Sequence, residues 1–212
     1  MTPKESYYAK RGQVLVKHLK SRHFDAYYCE DKKEALQKAL ELIPEDSLVG
    51  WGGAMSAQQI GLMEALKAGN YRTIDRDLAK TPQEREQAMR SCLFADVFLT
   101  GANALSLDGQ IVNIDGNGNR VAAIVYGPSS VIVIAGMNKV MENLDAAIQR
   151  ARTVAAPVNQ QRFMLPSNPC SVSGCCSDCK SDACICNQIL ITRNCHPAGR
   201  IKVILVGEEL GM

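Results

Sequence analysis

Apolar residues follow two rhythms along this chain, and each rhythm predicts a different element. Short aliphatic runs, Val97–Leu99 and Val131–Ala135, are closed by Gly101 and Gly136. Brief β-branched runs bounded by turn residues read as strands buried on both faces, as in a parallel sheet. Further strands are expected at Phe24–Cys29, Ser47–Gly50, Tyr71–Ile74, Ile111–Ile114, Ile189–Thr192 and Ile201–Val206. Between them the apolar positions take the helical period. Residues from Pro3 to Ser21 place Val14, Leu15, His18 and Leu19 near one face, with His18 a packed residue rather than a ligand. Asp31 and Glu34 form a capping box that opens a helix through Ile43, and Pro44 stops it. Thr81-Pro-Gln-Glu84 starts another, with proline at the first helical position, and its charges through Arg90 read as a solvated face. A helix is expected from Glu142 to Arg152, while Arg120–Tyr126 fits helix or strand equally. Prolines at 157, 166 and 169 suggest a bent approach to the last segment. Strands alternating with helices imply an α/β fold.

Two stretches carry candidate chemistry within that pattern. Trp51-Gly-Gly-Ala-Met55 follows a strand and precedes Ser56-Ala-Gln-Gln59, which has the spacing of a capping box. A strand, a glycine turn and a capped helix can gather backbone N–H groups around an anion, so Gly52, Gly53 and Ser56 are candidate ligand-binding residues. The spacing fits neither the P-loop nor the dinucleotide fingerprint, and a tight packing turn explains it about as well. The second stretch lies between the strands at residues 97–99 and 131–135. Asn103, Asp108, Asn113, Asp115, Asn117 and Asn119 crowd there beside Arg120, and Asn138 and Lys139 follow the second strand. Polar residues just past the C-terminal ends of parallel strands occupy the usual ligand position of open α/β sheets. Asp108-Gly109 and Asn117-Gly118, taken singly, are turn dipeptides. The set as a whole reads as a site.

Composition narrows the setting. The 212 residues fit one large domain, or one with a small appendage. A net charge of +2 from 24 basic and 22 acidic residues leaves no basic footprint for nucleic acid. No apolar run is long enough to span a membrane, and the charged N-terminal stretch does not read as a signal peptide. A cytoplasmic location follows as the expectation, where clustered cysteines point to metal or redox chemistry before disulfides.

Seven of the nine cysteines lie between Cys170 and Cys195. Cys176-Ser-Asp-Cys179 is a C-x-x-C knuckle whose two thiolates can reach one metal, and Cys170 and Cys186 flank it at distances that allow four sulfurs to converge. Sulfur sites hold zinc or iron–sulfur clusters, and ligand identity does not separate the two. The spacing matches neither common ferredoxin run, unless Cys170 and Cys175 are counted together with other partners. The cofactor therefore stays open between zinc and a 4Fe-4S cluster, with bare thiols as the remaining alternative. Cys195-His196 is a further ligand or simply a turn. Cys29 and Cys92 read as small buried apolar residues.

The sequence resembles the LUD domain family, the lactate-utilization proteins. The matching residues are TGAN at Thr100–Asn103, DG at Asp108–Gly109, NIDG-x-GNR at Asn113–Arg120, GP at Gly127–Pro128 and G-x-NK at Gly136–Lys139. The resemblance implies a three-layer α/β sandwich similar to the sugar-phosphate isomerase and CoA-transferase fold, spanning residues 1–165. Residues 166–212 would add a cysteine-rich segment and final strands that pack back on it. Relatives with this extension show P-C, G-x-C-x-D-C and I-C-N, which pick out Cys170, Cys176, Cys179 and Cys186 as metal ligands. Cys175 and Cys184 are then extra, and either can replace a neighbour.

The family also implies a role near oxidation of L-lactate or a related 2-hydroxy acid, as subunit or accessory factor. On that reading Arg120 and Lys139 hold a small anionic ligand, and Asn103, Asn119 and Asn138 orient it. Asp108 or Asp115 serves as general acid or base. No flavin or nicotinamide motif appears, so electrons would leave through the metal or through an iron–sulfur oxidoreductase subunit as partner. An oligomer is compatible with the sequence. The competing functions are an isomerase or CoA-transferase type of enzyme acting on a phosphorylated or acyl-CoA ligand, and a non-catalytic, metal-stabilised binding module.

Overall fold

The computed structural model describes residues 1–163 and 168–212. Its helices are α1 (Pro3–Ser21), α2 (Lys32–Glu41), α3 (Met55–Gln59), α4 (Leu62–Ala68), α5 (Pro82–Ser91), α6 (Asn119–Val125), α7 (Leu144–Arg150), α8 (Ala156–Gln161) and α9 (Pro169–Ser173). The strands are β1 (Asp25–Cys29), β2 (Leu48–Trp51), β3 (Arg72–Ile74), β4 (Val97–Gly101), β5 (Ala104–Ser106), β6 (Ile111–Asp115), β7 (Ser130–Gly136), β8 (Val140–Met141), β9 (Gln188–Thr192) and β10 (Ile201–Val206). No helix among the described residues is long and apolar enough to cross a membrane.

Six strands make a parallel sheet in the order β1-β10-β7-β4-β2-β3. Its centre is buried on both faces, which is why β7 and β10 are almost wholly aliphatic. Alternate residues serve opposite cores. Val131, Val133 and Ala135 join Val203 and Leu205 in a core with Leu15 and Leu19 of α1. Ile132, Ile134, Ile204 and Val206 join Ala35 and Ala39 of α2 and Leu62 and Leu66 of α4 on the other side. Leu15, Leu19, Leu62 and Leu66 are fully buried, each contributing about 1.5–3 kcal/mol of apolar transfer. Layered packing of helices on both sheet faces makes this an α/β sandwich. The last strand, β10, lies between β1 and β7, so the end of the chain completes the sheet centre.

Four shorter strands form a second sheet, β8-β5-β6-β9, in which β6 pairs antiparallel with both β5 and β9. The strands expected at 111–114 and 189–192 belong here. Their pairing partners are far apart in sequence, and periodicity carries no information about which sheet a strand joins. Residues 120–126, undecided by pattern, are helical within α6. The expected helix at 142–152 begins later, capped by Asn143, and runs through a π-helical turn at Ala151–Ala155 into α8.

The caps divide in the same way. Thr81 and Glu84 form the complete box at α5, with proline in its first turn. Asp31 caps α2, but the Glu34 carboxylate accepts from the Glu30 N–H, one residue outside the box. The box expected at Ser56 does not form. Helix α3 starts two residues earlier, its N-cap Ala54 offers no side-chain acceptor, and Ser56 is buried within its first turn. The proposed boundary at residues 165 and 166, and Pro166 itself, lie outside the described residues.

Candidate functional site

The C-terminal ends of β2 and β4, the β6–α6 turn and the short helical turn at Met137–Lys139 after β7 converge on one cavity of about 330 Å3. It is lined by Gly53, Ser56, Asn103, Asp115, Asn119, Arg120 and Lys139, together with Arg76, Arg85 and Arg162. Cations outnumber anions there: Asp115 is the one acidic side chain lining it among the described residues, and of the arginines Arg85 is paired with Asp77 at 3.0 Å.

Arg120 is placed by local structure. Asn117-Gly118 makes the turn, with Gly118 left-handed at φ 81°, and α6 starts at the next residue. Asp115 then accepts from the Arg120 backbone N–H at 3.0 Å, satisfying a donor in the first turn of α6. The guanidinium folds back over the same carboxylate, Nε to Oδ1 3.7 Å, with side-chain exposures of 11% and 15%. Its Nη2 donates to Asn103 Oδ1 at 3.2 Å and to the Ile114 carbonyl. Nε has no hydrogen-bond acceptor among the described residues. Burial lowers the Arg120 pKa, Asp115 opposes that, and Arg76 adds to it. Gly53 is required beneath Arg120: its φ is +59°, and a Cβ there would sit 2.4 Å from Nη1.

Lys139 is the more unusual cation. It is 4% exposed, and among the described residues its Nζ has one hydrogen-bond partner, the Ser56 hydroxyl at 3.3 Å. Burial, then Arg150, then Arg120 lowers its pKa to about 7. Arg150 is itself buried, with Nη1 donating to the Asn103 and Met212 carbonyls and Nε to the Asn138 carbonyl. It locks together the β4–β5 connection, the turn before Lys139 and the chain's last residues.

The remaining candidates lie outside the cavity lining. Gly52 commits its N–H to the Leu99 carbonyl at 3.1 Å, so it extends the sheet instead of facing an anion. Asn113 is buried on β6, its amide donating to the Gly101 carbonyl at 2.9 Å. The Asn138 side chain accepts from the Leu210 N–H at 3.1 Å and ties down the C-terminal segment. Asp108 sits in the β5–β6 turn, where it accepts from Arg22, the C-cap of α1, at 2.8 Å, and from Ser106 and Gln110. Arg76, Arg85, Arg150 and Arg162 escaped the sequence reading. Arg85 stands on the helix whose charges looked solvated, and only the packing of α5 beside the cavity gives it a second role.

Cys170, Cys176, Cys179, Cys184 and Cys186 line a second cavity of about 240 Å3. Cys175 is exposed and outside it, and Cys195 is packed in the main core. Among the described residues no three His, Cys, Asp or Glu side chains come close enough to hold one metal ion. The two cavities share a wall, since Ile114 and Ile185 line both.

A parallel-sheet α/β protein with a cationic cavity at its strand ends is the class these features define. The chain belongs to the LUD domain family, whose profile matches residues 12–206. The crystal structure of a DUF162 family protein from Deinococcus radiodurans is similar at a TM-score of 0.56 and 12% identity, covering 94% of this chain and 98% of that one, which shows a shared fold. eIF2B beta and eIF2B delta from Chaetomium thermophilum also match, at 16% and 13% identity and TM-scores of 0.36 and 0.38. They cover 54% and 66% of this chain and 44% and 57% of their own, a likeness too low to carry an argument. No curated protein matches the chain.

Proposed function

We propose that this LUD domain protein binds a small organic anion in the Arg120–Lys139 cavity, as subunit or accessory factor in oxidation of L-lactate or a related 2-hydroxy acid. The observation behind this reading is the charge balance: Arg120 and Lys139 are buried in the wall of a cavity whose one acidic side chain among the described residues is Asp115, and Arg76, Arg162 and Arg85, the last paired with Asp77, line its more exposed part. A buried cation without a partner is costly, and an anion held by charge-assisted hydrogen bonds offsets that cost. Arg120 lines the cavity, and its buried Nε, 3.7 Å from Asp115 Oδ1, has no acceptor among the described residues, so its charge is only partly compensated within the protein. Asn103, whose Oδ1 accepts from Arg120 Nη2, and Asn119 line the same cavity and would orient a hydroxyl or carboxylate. Asp115 is the carboxylate within the cavity that can exchange a proton with the ligand. Oxidation of a 2-hydroxy acid releases two electrons and two protons, and the electrons need an acceptor, here an iron–sulfur oxidoreductase subunit.

The cysteine cavity bears on that role. A single tetrahedral zinc needs four sulfurs drawn to about 2.3 Å from one point. Five sulfurs line one cavity of about 240 Å3, a donor set that either zinc or an iron–sulfur cluster accepts, and an electron-transfer role favours the cluster. Cys170, Cys176, Cys179 and Cys186 would hold it, with Cys184 the substitute, and when bound it would supply one-electron transfer.

Calorimetric titration of the intact protein with L-lactate, pyruvate and inorganic phosphate tests the anion site. Binding is expected for wild type and a loss of at least about tenfold for Arg120→Met, a charge-assisted pair being worth about 1.5–3 kcal/mol. If none of the three anions binds, the proposal fails. A second reading, an isomerase or CoA-transferase type of enzyme, draws on the position of the cavity at the ends of parallel strands. Preference for a phosphorylated sugar or an acyl-CoA over the carboxylates would favour it.

A further inference from the structure

We propose that Lys139 is a nucleophile that forms an imine with the carbonyl carbon of a small oxo compound carrying a carboxylate or phosphate. This rests on the anion-site reading above and adds a covalent step to it. Lys139 lies at the cavity wall, 4% exposed, with the Ser56 hydroxyl as its one hydrogen-bond partner among the described residues. An ammonium has three donors to satisfy, and here two would face a buried, cationic surrounding. The cavity already holds permanent charge for an anion in Arg76, Arg120 and Arg162. A lysine adds little to that task and costs more to bury charged than to bury neutral. A neutral amine is a different tool, because its lone pair can attack.

The surroundings favour the neutral form from two directions. Burial removes water from the ammonium, and the guanidiniums of Arg150 and Arg120 repel its charge, so its pKa falls to about 7. Desolvation and a neighbouring cation are the two ways in which a lysine is activated as a nucleophile. Gly211 closes over the amine, since a Cβ at that position would lie 2.5 Å from Nζ. The C-terminal turn thereby shields the amine on one side and leaves the cavity side open.

The step balances without any redox partner. The Nζ lone pair forms a C–N bond to the carbonyl carbon while the C–O π electrons move to oxygen, which takes a proton. The resulting carbinolamine loses that oxygen as water and leaves a protonated imine. Ser56, within hydrogen-bond distance of Nζ, is placed to relay a proton between nitrogen and the departing oxygen. The arginines hold the anionic end, which fixes the carbonyl carbon beside the amine.

The test is reductive trapping on the full chain. Wild type and Lys139→Arg are incubated with pyruvate, or separately with dihydroxyacetone phosphate, in the presence of cyanoborohydride, and the products are mapped by peptide mass spectrometry. The expected result is a reduced adduct on the Lys139 peptide of wild type, suppressed by excess inorganic phosphate and lost in Lys139→Arg. The compound that labels identifies whether the anionic group is a carboxylate or a phosphate. If L-lactate, pyruvate or phosphate binds by calorimetry but Lys139 gains no adduct with either carbonyl compound, the imine is wrong and the anion site stands. If none of the three anions binds, both proposals fall. Because the adduct is located within wild type itself, the outcome does not depend on the variant folding.

Discussion

The Nζ of Lys139 lies 3.3 Å from Oγ of Ser56, and no carboxylate among the described residues forms an ion pair with that amine. Two elements distant in sequence meet at this pair, the turn after β7 and the helix after β2. Their meeting decides the chemistry of the cavity, because it buries an amine beside Arg120 and Arg150.

Stability should therefore rise with pH over a defined window. The folded-state pKa of Lys139 is lowered from 10.5 to about 7, so between those values the unfolded chain binds a proton that the folded chain does not. Stability then increases with pH from about 7 toward 10.5, by on the order of 4–5 kcal/mol, and is flat for this group below about 7. Lys139→Met removes the charge at similar volume. Urea denaturation of both proteins across pH should show the variant more stable at pH ~6, with the gap closing as pH rises. A constant gap would mean that Lys139 stays charged.

Asp115 is expected to support both α6 and Arg120. Asp115→Asn weakens the acceptor for the Arg120 N–H and leaves the guanidinium without its counter-charge. The expected loss is about 3 kcal/mol, the low end for breaking a buried pair, because Nε to Oδ1 is already 3.7 Å. Inorganic phosphate should restore more thermal stability to the variant than it adds to wild type. An unchanged melting temperature would contradict the placement.

Gly136→Ala should be among the most damaging small changes in the chain. A methyl there would lie 2.4 Å from the Leu210 nitrogen and 2.5 Å from the Glu208 carbonyl oxygen. These are backbone atoms, so relief requires moving the C-terminal segment off β7, at a cost of about 3 kcal/mol. Gly211 and Met212 would move with it, loosening the cover over Lys139 and Arg150. Proteolysis at the C-terminus, compared with wild type, reads that release.

Asp108→Asn provides the contrasting case. The residue is bound to Arg22 at an exposed turn, outside the cavity. The expected cost is under about 1 kcal/mol, and anion affinity should not change. A marked loss of binding would return Asp108 to the site.

Metal content should follow the geometry of the cysteine cavity. After anaerobic reconstitution with iron and sulfide, Cys175→Ser should retain wild-type iron, since Cys175 lies outside the cavity. Cys179→Ser should lose most of it. Equal iron in both variants, or visible colour in neither wild type nor variants, would count against a cluster there.

Much of the fold was legible in residue order. Val131–Ala135 and Ile201–Val206 read as strands because a parallel sheet covered on both faces needs aliphatic side chains at nearly every position, Lys202 near the start of β10 being the exception. Thr81 with Pro82 and Glu84 announced α5, because cap chemistry is local. Ser56 misled for the same reason. Its spacing to Gln59 suits a cap, but the helix start depends on how the Gly52–Gly53 turn leaves β2, and that turn is set by its contacts with Leu99 and Arg120.

Within the candidate site, the sequence by itself determined the inventory: Asn103, Asp115, Asn119, Arg120 and Lys139 lie near strand ends, where ligands of open sheets usually sit. Only the tertiary structure decided which of the candidates share a space. Asp108, Asn113 and Asn138 have the same composition and the same neighbourhood in the chain, yet each is bound to a backbone or an arginine elsewhere. Arg76, Arg85 and Arg162 arrive from elements with no apolar period toward the site. The burial that sets the charge of Lys139 comes from residues up to 83 positions away in the chain, as with Ser56. Local propensities act over a few residues, whereas desolvation and charge repulsion act through space, and that separates what could be read from what had to be folded.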